Sequence, residues 1–126
     1  MPIPCVDVIC VNDKKEILYG WRIIPPYKNV WALVGGRIFR DEKPTDAVRR
    51  NLKAHGIEAD ELIMNGVFSA NFGWRHDISI SYVATKSTEP KRLGSEFSRF
   101  DWRSEVPSRI GAMYRRMIEA YKTALR

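Results

Sequence analysis

The amino-acid sequence predicts an α+β fold in which a mixed β-sheet lies between α-helices. The chain has 126 residues, a usual length for one domain, so we expect a single domain over residues 1–126. Its hydrophobic fraction of 44% is sufficient for one core. The predicted elements follow in the order strands, helix, strands, helix, without an internal repeat. This order favours a sheet packed against helices in layers.

The first strands are predicted from runs of β-branched and apolar residues separated by turn residues. The segments are a strand at 6–11, a turn at 12–15, a strand at 16–22, a loop at 24–29 and a strand at 30–34. Pro25-Pro26 indicates the loop, because proline interrupts regular pairing. The strand at 30–34 is short and apolar and runs directly into Gly35-Gly36.

A helix is predicted after the loop of residues 37–42. Pro44 suits its first turn, Thr45 or Asp46 offers a capping oxygen, and Gly56 is a natural terminator. The apolar stripe of this helix comprises Ala47, Val48, Leu52 and Ala54.

The second half of the chain predicts three strands and a second helix. The segments are strands at 62–72, 77–85 and 100–103, a flexible loop at 86–98, and a helix that begins at Pro107. The helix is predicted because Ile110, Met113, Met117 and Tyr121 recur every three or four residues.

The net charge of +6 and the pI near 9.5 favour an anionic partner. The charges are dispersed and accompany no nucleic-acid-binding motif, so a phosphorylated small molecule is favoured over nucleic acid. No segment approaches the roughly 20 apolar residues of a membrane span, and the first residues lack a signal peptide's pattern. We therefore expect a cytoplasmic protein in which Cys5 and Cys10 are buried thiols.

A motif follows the double glycine. Five residues separate Gly36 from Glu42, seven more separate Glu42 from Arg50, and Gly56-Ile57 ends the pattern. The segment from Gly35 to Ile57 resembles the Nudix box, G-x5-E-x7-R-E-U-x-E-E-x-G-U with U bulky and aliphatic, closed one residue early. The resemblance implies a Nudix fold that binds a nucleoside diphosphate compound. It also implies that Gly36, Glu42 and Arg50 are scaffold residues, with an ion pair between the last two.

The resemblance places the metal-binding acids of the family on Asn51, Ala54 and His55. None of these is a carboxylate, whereas Mg²⁺ prefers oxygen ligands. The box is therefore degenerate at its metal positions.

One subfamily matches more closely. The stretches Leu18–Arg22, Trp31–Arg37 and Asp41-Glu42 resemble the GDP-mannose mannosyl hydrolases, which lack most box glutamates and attack the sugar C1. The resemblance implies a homodimer and implies that Arg22 and Arg37 neutralise a diphosphate leaving group. It places the one retained carboxylate of the subfamily on His55.

Alignment of the late loop on Trp102 places the metal-binding glutamine of the subfamily on Glu96 and its general base on Phe97. Phe97 cannot act as a base, whereas Glu96 can serve as a metal ligand or as a base. His76-Asp77 is the other candidate pair, but neighbouring side chains on a strand are expected to face opposite ways.

The sequence therefore predicts a hydrolase of a nucleotide sugar such as GDP-mannose, with Arg37, Glu96 and Arg22 as catalytic residues. Arg22, Arg37 and Tyr27 are the expected substrate contacts, with Trp21, Phe72 and Trp74 as further candidates to stack on a base. Mg²⁺ or Mn²⁺ would be held by Gly36, His55 and Glu96. The alternatives are a catalytically inactive Nudix module that binds nucleotide or a protein partner, and a nucleic-acid-binding protein.

Overall fold

Nine regular elements make up the protein, whose computed structural model describes all 126 residues. The strands are β1 (Ile3–Cys10), β2 (Ile17–Arg22), β3 (Val30–Ala32), β4 (Val34–Arg37), β5 (Leu62–Asn71), β6 (His76–Ala84) and β7 (Phe97–Arg103). The helices are α1 (Pro44–Ala54) and α2 (Ala112–Ala124). None of the helices has the length and apolar character required to cross a membrane.

The strands form two sheets. One has four strands in the order β4-β1-β6-β5, in which β1 and β6 run parallel and the other pairs are antiparallel. The second is antiparallel and has the order β3-β2-β7. Helix α1 packs on β1 and β4, and α2 packs on β5. The predicted α+β class with a mixed sheet is confirmed, although the strands divide between two sheets.

Strand β1 lies at the centre of the core. Every residue from Cys5 to Cys10 is buried, because the strand is covered on both faces. Cys5 and Cys10 are free thiols, and burial raises their pKa values to about 11 and about 12. Asp7 is the only charged residue in this apolar run.

The prediction of one strand over residues 30–34 is wrong. Residues up to Ala32 pair with β2, whereas Val34 pairs with Val8 of β1, so the chain changes sheets at Leu33. The Leu33 side chain is buried at this crossing. Both halves are apolar because both lie in the core, and a continuous apolar run therefore concealed the change of sheet.

The prediction that the second helix begins at Pro107 is also wrong, since α2 begins at Ala112. The preceding residues are extended and pair with β3. The Trp31 N–H donates to the Arg109 carbonyl at 2.8 Å, and the Gly111 N–H donates to the Trp31 carbonyl at 3.1 Å. This pairing gives the backbone groups of Arg109 and Gly111 the hydrogen-bond partners that a helix would otherwise supply.

The predicted loop over 86–98 overlaps a strand, because β7 begins at Phe97. The loop also carries fixed backbone bonds. The N–H of Ser87 donates to the Val11 carbonyl at 2.8 Å, and the N–H of Lys91 donates to the His55 carbonyl at 2.8 Å. These bonds tie the loop to the turn after β1 and to the end of α1.

Helix α1 has nearly its predicted bounds, but the predicted cap is wrong. Its N-cap is Lys43 and makes no side-chain capping bond, while Pro44 is the first helical residue. Asp46 lies in the first turn, where its charge is favourable to the helix dipole. Gly56 follows the helix with a φ of +68°, a conformation that favours glycine.

Candidate functional site

A cleft of about 210 Å³ opens where residues of both sheets meet the start of α2. Its floor comes from β1, β4 and β6, and its opposite wall comes from Arg22 and the loop before β7. Six charged residues line it: Asp7, Arg22, Arg37, Arg75, Asp77 and Glu96. This concentration of guanidinium and carboxylate groups makes the cleft the best candidate for a binding site.

Asp7 lies on the floor of the cleft and is 6% exposed. Its carboxylate accepts a hydrogen bond of 2.6 Å from the Ser79 hydroxyl on the neighbouring strand β6. Burial raises the pKa of Asp7 to about 7, and the bond from Ser79 and the charge of Arg22 only partly oppose this effect. Near neutral pH the group can therefore hold or release a proton.

Gly35 makes room for the Asp7 carboxylate. The two residues are partners in the β1–β4 ladder. A Cβ at position 35 would collide with the Asp7 carboxylate and with the Val6 carbonyl oxygen. The first glycine of the pair is therefore required for the close approach of β4 to the buried acid.

Arg22 and Glu96 form an ion pair across the cleft wall, with 2.9 Å between Nη1 and Oε2. The Arg22 guanidinium also donates to the carbonyls of Ile24 and Pro25, each at 3.0 Å. The structure thus brings together two predicted catalytic residues. Because these bonds occupy several N–H groups, only part of the Arg22 guanidinium remains for a ligand.

Arg75 and Asp77 form a second ion pair, with 2.6 Å between Nε and Oδ1. Asp77 is 4% exposed, and a buried carboxylate without a partner would be costly, so the ion pair with Arg75 is favoured. Sequence reasoning missed Arg75 and Asp7, and it named Asp77 only as the neighbour of His76. The available signals were an acid within the apolar strand β1 and an Arg-x-Asp pattern at the start of β6.

His76 behaves differently from its neighbour Asp77. Its Nε2 lies 2.7 Å from the Ser69 hydroxyl on β5, and it does not line the cleft. The expectation that the two adjacent side chains face opposite ways is confirmed.

Arg37 is the cleft arginine without a partner. Its side chain is exposed at the cleft mouth and makes no hydrogen bond or ion pair within the protein. Its backbone carbonyl accepts a bond of 2.8 Å from Arg50 of α1. The end of β4 is thus fixed while the guanidinium stays available to an anion.

Arg50 also binds Glu42 through two bonds, at 2.8 and 3.0 Å, and lies over the Phe39 ring. The Glu42 carboxylate accepts a further bond of 2.9 Å from the Phe39 N–H. The bond from Arg50 has the larger effect and that from the Phe39 N–H adds to it, and together they lower the pKa of Glu42 to about 2. Glu42 and Arg50 thus connect the loop to the helix, the scaffold role that the resemblance implied.

Gly36 lies against the α1 residue Asn51. A Cβ at position 36 would be 2.6 Å from Asn51 Oδ1. The Asn51 amide donates to the Ala47 carbonyl at 2.8 Å within the helix. The Asn51 side chain therefore lies in the contact between helix α1 and strand β4.

His55 is not brought to the cleft. Its ring is 7% exposed, its Nδ1 lies 3.0 Å from the Arg92 carbonyl, and it packs against Phe97 and Phe100. The predicted metal set of Gly36, His55 and Glu96 is thus divided, because only Gly36 and Glu96 line the cleft.

The residues present do not fit the divalent metal that Nudix hydrolases generally use. No group of three histidine, cysteine or acidic residues is arranged to hold an ion. Of the three box positions, Asn51 is bonded within its own helix, Ala54 has no donor atom on its side chain, and His55 faces the core. The only side-chain oxygen at these positions is the neutral Oδ1 of Asn51, whereas Mg²⁺ is usually held through carboxylates, so the set does not fit this ion.

Tyr27 also lies away from the cleft lining. Its hydroxyl oxygen accepts a bond of 3.0 Å from the Met113 N–H at the start of α2, and its ring packs against Phe72 and Tyr114. Its contacts are those of a residue that holds α2 in place.

An open groove adjoins the cleft on the side of the β5–β6 turn. It has a volume of about 450 Å³ and shares Arg37 and Arg75 with the cleft. Trp74 lines it and is 68% exposed. A large aromatic surface left exposed beside two arginines is typical of a ligand-binding position.

The fold and the loop after Gly35-Gly36 place the protein in a known class. A family model described as the NUDIX domain matches residues 1–106, and the chain therefore belongs to the NUDIX domain family. A comparison with curated proteins found no match.

Solved structures agree with this assignment at the level of the fold. A MutT NUDIX hydrolase of Burkholderia pseudomallei superposes with a TM-score of 0.85 at 20% identity, covering 95% of this chain and 98% of that one. A MutT protein of Methanosarcina mazei Go1 gives 0.85 at 19% identity, with 99% and 96% covered. The NUDIX domain of Shewanella oneidensis NrtR, complexed with ADP ribose, gives 0.81 at 19% identity, with 100% and 90% covered.

The pKa of Asp7 predicts how stability depends on pH. The folded state binds the Asp7 proton more tightly than the unfolded chain does, so the stabilising contribution of Asp7 is fully present below pH about 3.8 and is lost as the pH rises through about 7. One pKa unit corresponds to about 1.4 kcal/mol, so the loss relative to Asp7→Asn amounts to a few kcal/mol. Urea unfolding of both proteins across this window measures the difference. Parallel pH profiles for the two proteins would contradict the assignment.

Proposed function

We propose that this NUDIX domain protein is a hydrolase of a nucleoside diphosphate derivative, specifically a nucleotide sugar such as GDP-mannose. The observation that carries the proposal is the free guanidinium of Arg37 at the mouth of a cleft that holds two further arginines. A guanidinium group binds phosphate oxygens through two parallel hydrogen bonds, and it does so most strongly where water is partly excluded.

The shared boundary between cleft and groove supports a specific placement of the ligand. Arg37 and Arg75 line both spaces, so the diphosphate lies at this boundary. The nucleoside base extends into the groove against Trp74, and the sugar enters the cleft above Asp7. The cleft volume of about 210 Å³ suits a sugar better than a whole nucleotide.

Asp7 supports cleavage at the sugar carbon. Water attacks C1 and gives a proton to the Asp7 carboxylate, while the bond from C1 to the diphosphate oxygen breaks. The bonding electron pair leaves with the diphosphate, and Arg37 stabilises the added charge. A pKa of about 7 suits Asp7 to this role at neutral pH.

Glu96 and Arg22 have a supporting role in this scheme. Their ion pair fixes the wall of the cleft and leaves Glu96 less available as a base than Asp7. No step is assigned to a divalent cation, because the residues at the box positions do not fit one. The cytoplasmic location and the homodimer stay predictions.

The alternative is a catalytically inactive module that binds the same class of ligand. The observation that favours it is that the box positions carry Asn51, Ala54 and His55. The similar NUDIX domain of NrtR is described in complex with ADP ribose, which supports the ligand class under both hypotheses. Binding by Arg37 is common to both hypotheses, and turnover distinguishes them.

Arg37→Ala tests the binding site. Loss of a bidentate charged contact is expected to weaken nucleoside diphosphate binding by about tenfold or more. Arg40→Ala is the matched control, since Arg40 is an exposed arginine three residues away that lines neither the cleft nor the groove. Isothermal titration with GDP, ADP and UDP measures both. Equal losses in the two variants would show general charge attraction in place of a site at Arg37.

Turnover of nucleotide sugars in ¹⁸O-labelled water tests the reaction. Attack at carbon places the label in the released sugar and leaves the nucleoside diphosphate unlabelled. Asp7→Asn is expected to lower kcat by about a hundredfold or more while the binding constant stays within about threefold. Label in phosphate would contradict attack at carbon, and binding without turnover would establish the inactive alternative.

A further inference from the structure

The helix positions that would face a metal ion are engaged in packing. Asn51 binds the Ala47 carbonyl through Nδ2 and presses Oδ1 against Gly36. The His55 ring is enclosed by Phe97 and Phe100 and bonds to the Arg92 carbonyl. His55 cannot turn toward the cleft without losing these contacts, and Asn51 offers only a neutral amide oxygen beside Gly36, so these two positions present no carboxylate to an ion.

The carboxylates of the region are also engaged. Glu96 is paired with Arg22, Asp77 with Arg75, and Glu42 with Arg50. Asp7 is buried and accepts the Ser79 hydroxyl bond. A divalent cation at one of these paired carboxylates would compete with the arginine for its charge and would lie beside a partly buried guanidinium.

The charge balance of the cleft favours an anion. Arg22 and Arg75 are each paired with one carboxylate, whereas Arg37 has no partner, so the cleft carries one unmatched positive charge when Asp7 is protonated. A diphosphate without a bound metal carries more negative charge than its Mg²⁺ complex. Coulomb attraction to Arg37 is therefore greater for the metal-free form.

We propose that the guanidinium groups of Arg37 and Arg75 take the place of the divalent cation, so that the protein binds the metal-free nucleoside diphosphate and Mg²⁺ competes with the protein for it. The inference depends on the proposed function for the class of ligand. The proposed function names the class of ligand, and the inference adds that the ligand is bound without a metal ion.

The test compares GDP and inorganic pyrophosphate binding in EDTA and in excess Mg²⁺ at constant ionic strength, by isothermal titration of the full chain. Binding is expected in EDTA and is expected to weaken by roughly fivefold to tenfold in Mg²⁺. Arg37→Gln is expected to lose most of the affinity in EDTA, whereas Arg40→Gln keeps both the affinity and its response to Mg²⁺.

Titration of the free protein with Mn²⁺, followed by electron paramagnetic resonance, is expected to find no stoichiometric site. Ligand binding that requires Mg²⁺, or a stoichiometric Mn²⁺ site in the free protein, would overturn the inference and leave the proposed ligand class intact. Absence of GDP and pyrophosphate binding in both buffers would instead overturn the proposed function, and the inference with it.

Discussion

Arg50 connects three parts of the molecule through one guanidinium group. It lies in helix α1, pairs with Glu42 in the preceding loop, and holds the Arg37 carbonyl at the end of β4. Phe39 lies beneath it and shields the pair from water on one side. Because β4 is hydrogen-bonded to β1, this arrangement also fixes the strand that carries Asp7. The position of the cleft mouth therefore depends on a residue that does not line the cleft.

The cleft contains arginines and carboxylates, most of which are paired with one another. Two ion pairs, at Arg22–Glu96 and Arg75–Asp77, surround a buried acid that favours its neutral form. Paired carboxylates leave no oxygen cluster for a cation, and the unpaired Arg37 leaves an anion-binding position at the edge. Under the proposed function, a NUDIX domain without carboxylates at Asn51, Ala54 and His55 keeps a ligand site because arginines bind the phosphates and helix α1 serves as a scaffold.

Local patterns in the sequence predicted the fold class, the bounds of α1 and the loop before it, and the resemblance implied the ion pair between Glu42 and Arg50. They failed where long-range pairing decides the outcome. The change of sheet at Leu33 lies within a uniform apolar run, and the segment before α2 is extended because it pairs with β3, far away in sequence. Asp7, Arg75 and Asp77 meet only because β1 and β6 are neighbours. Alignment to the box placed His55 at a metal position, but contacts with Phe97 and Phe100 of β7 decide where its ring lies.

The proposed function places the diphosphate at Arg37, between the cleft and the groove, without contact to helix α1. A crystal structure of the protein with a non-hydrolysable nucleotide sugar, grown in the presence of Mg²⁺, would show where the diphosphate lies. We expect diphosphate oxygens within hydrogen-bonding distance of the Arg37 guanidinium, the base against Trp74 and the sugar above Asp7. A diphosphate bound through a metal ion at Asn51 and Glu42, with Arg37 directed into solvent, would contradict it.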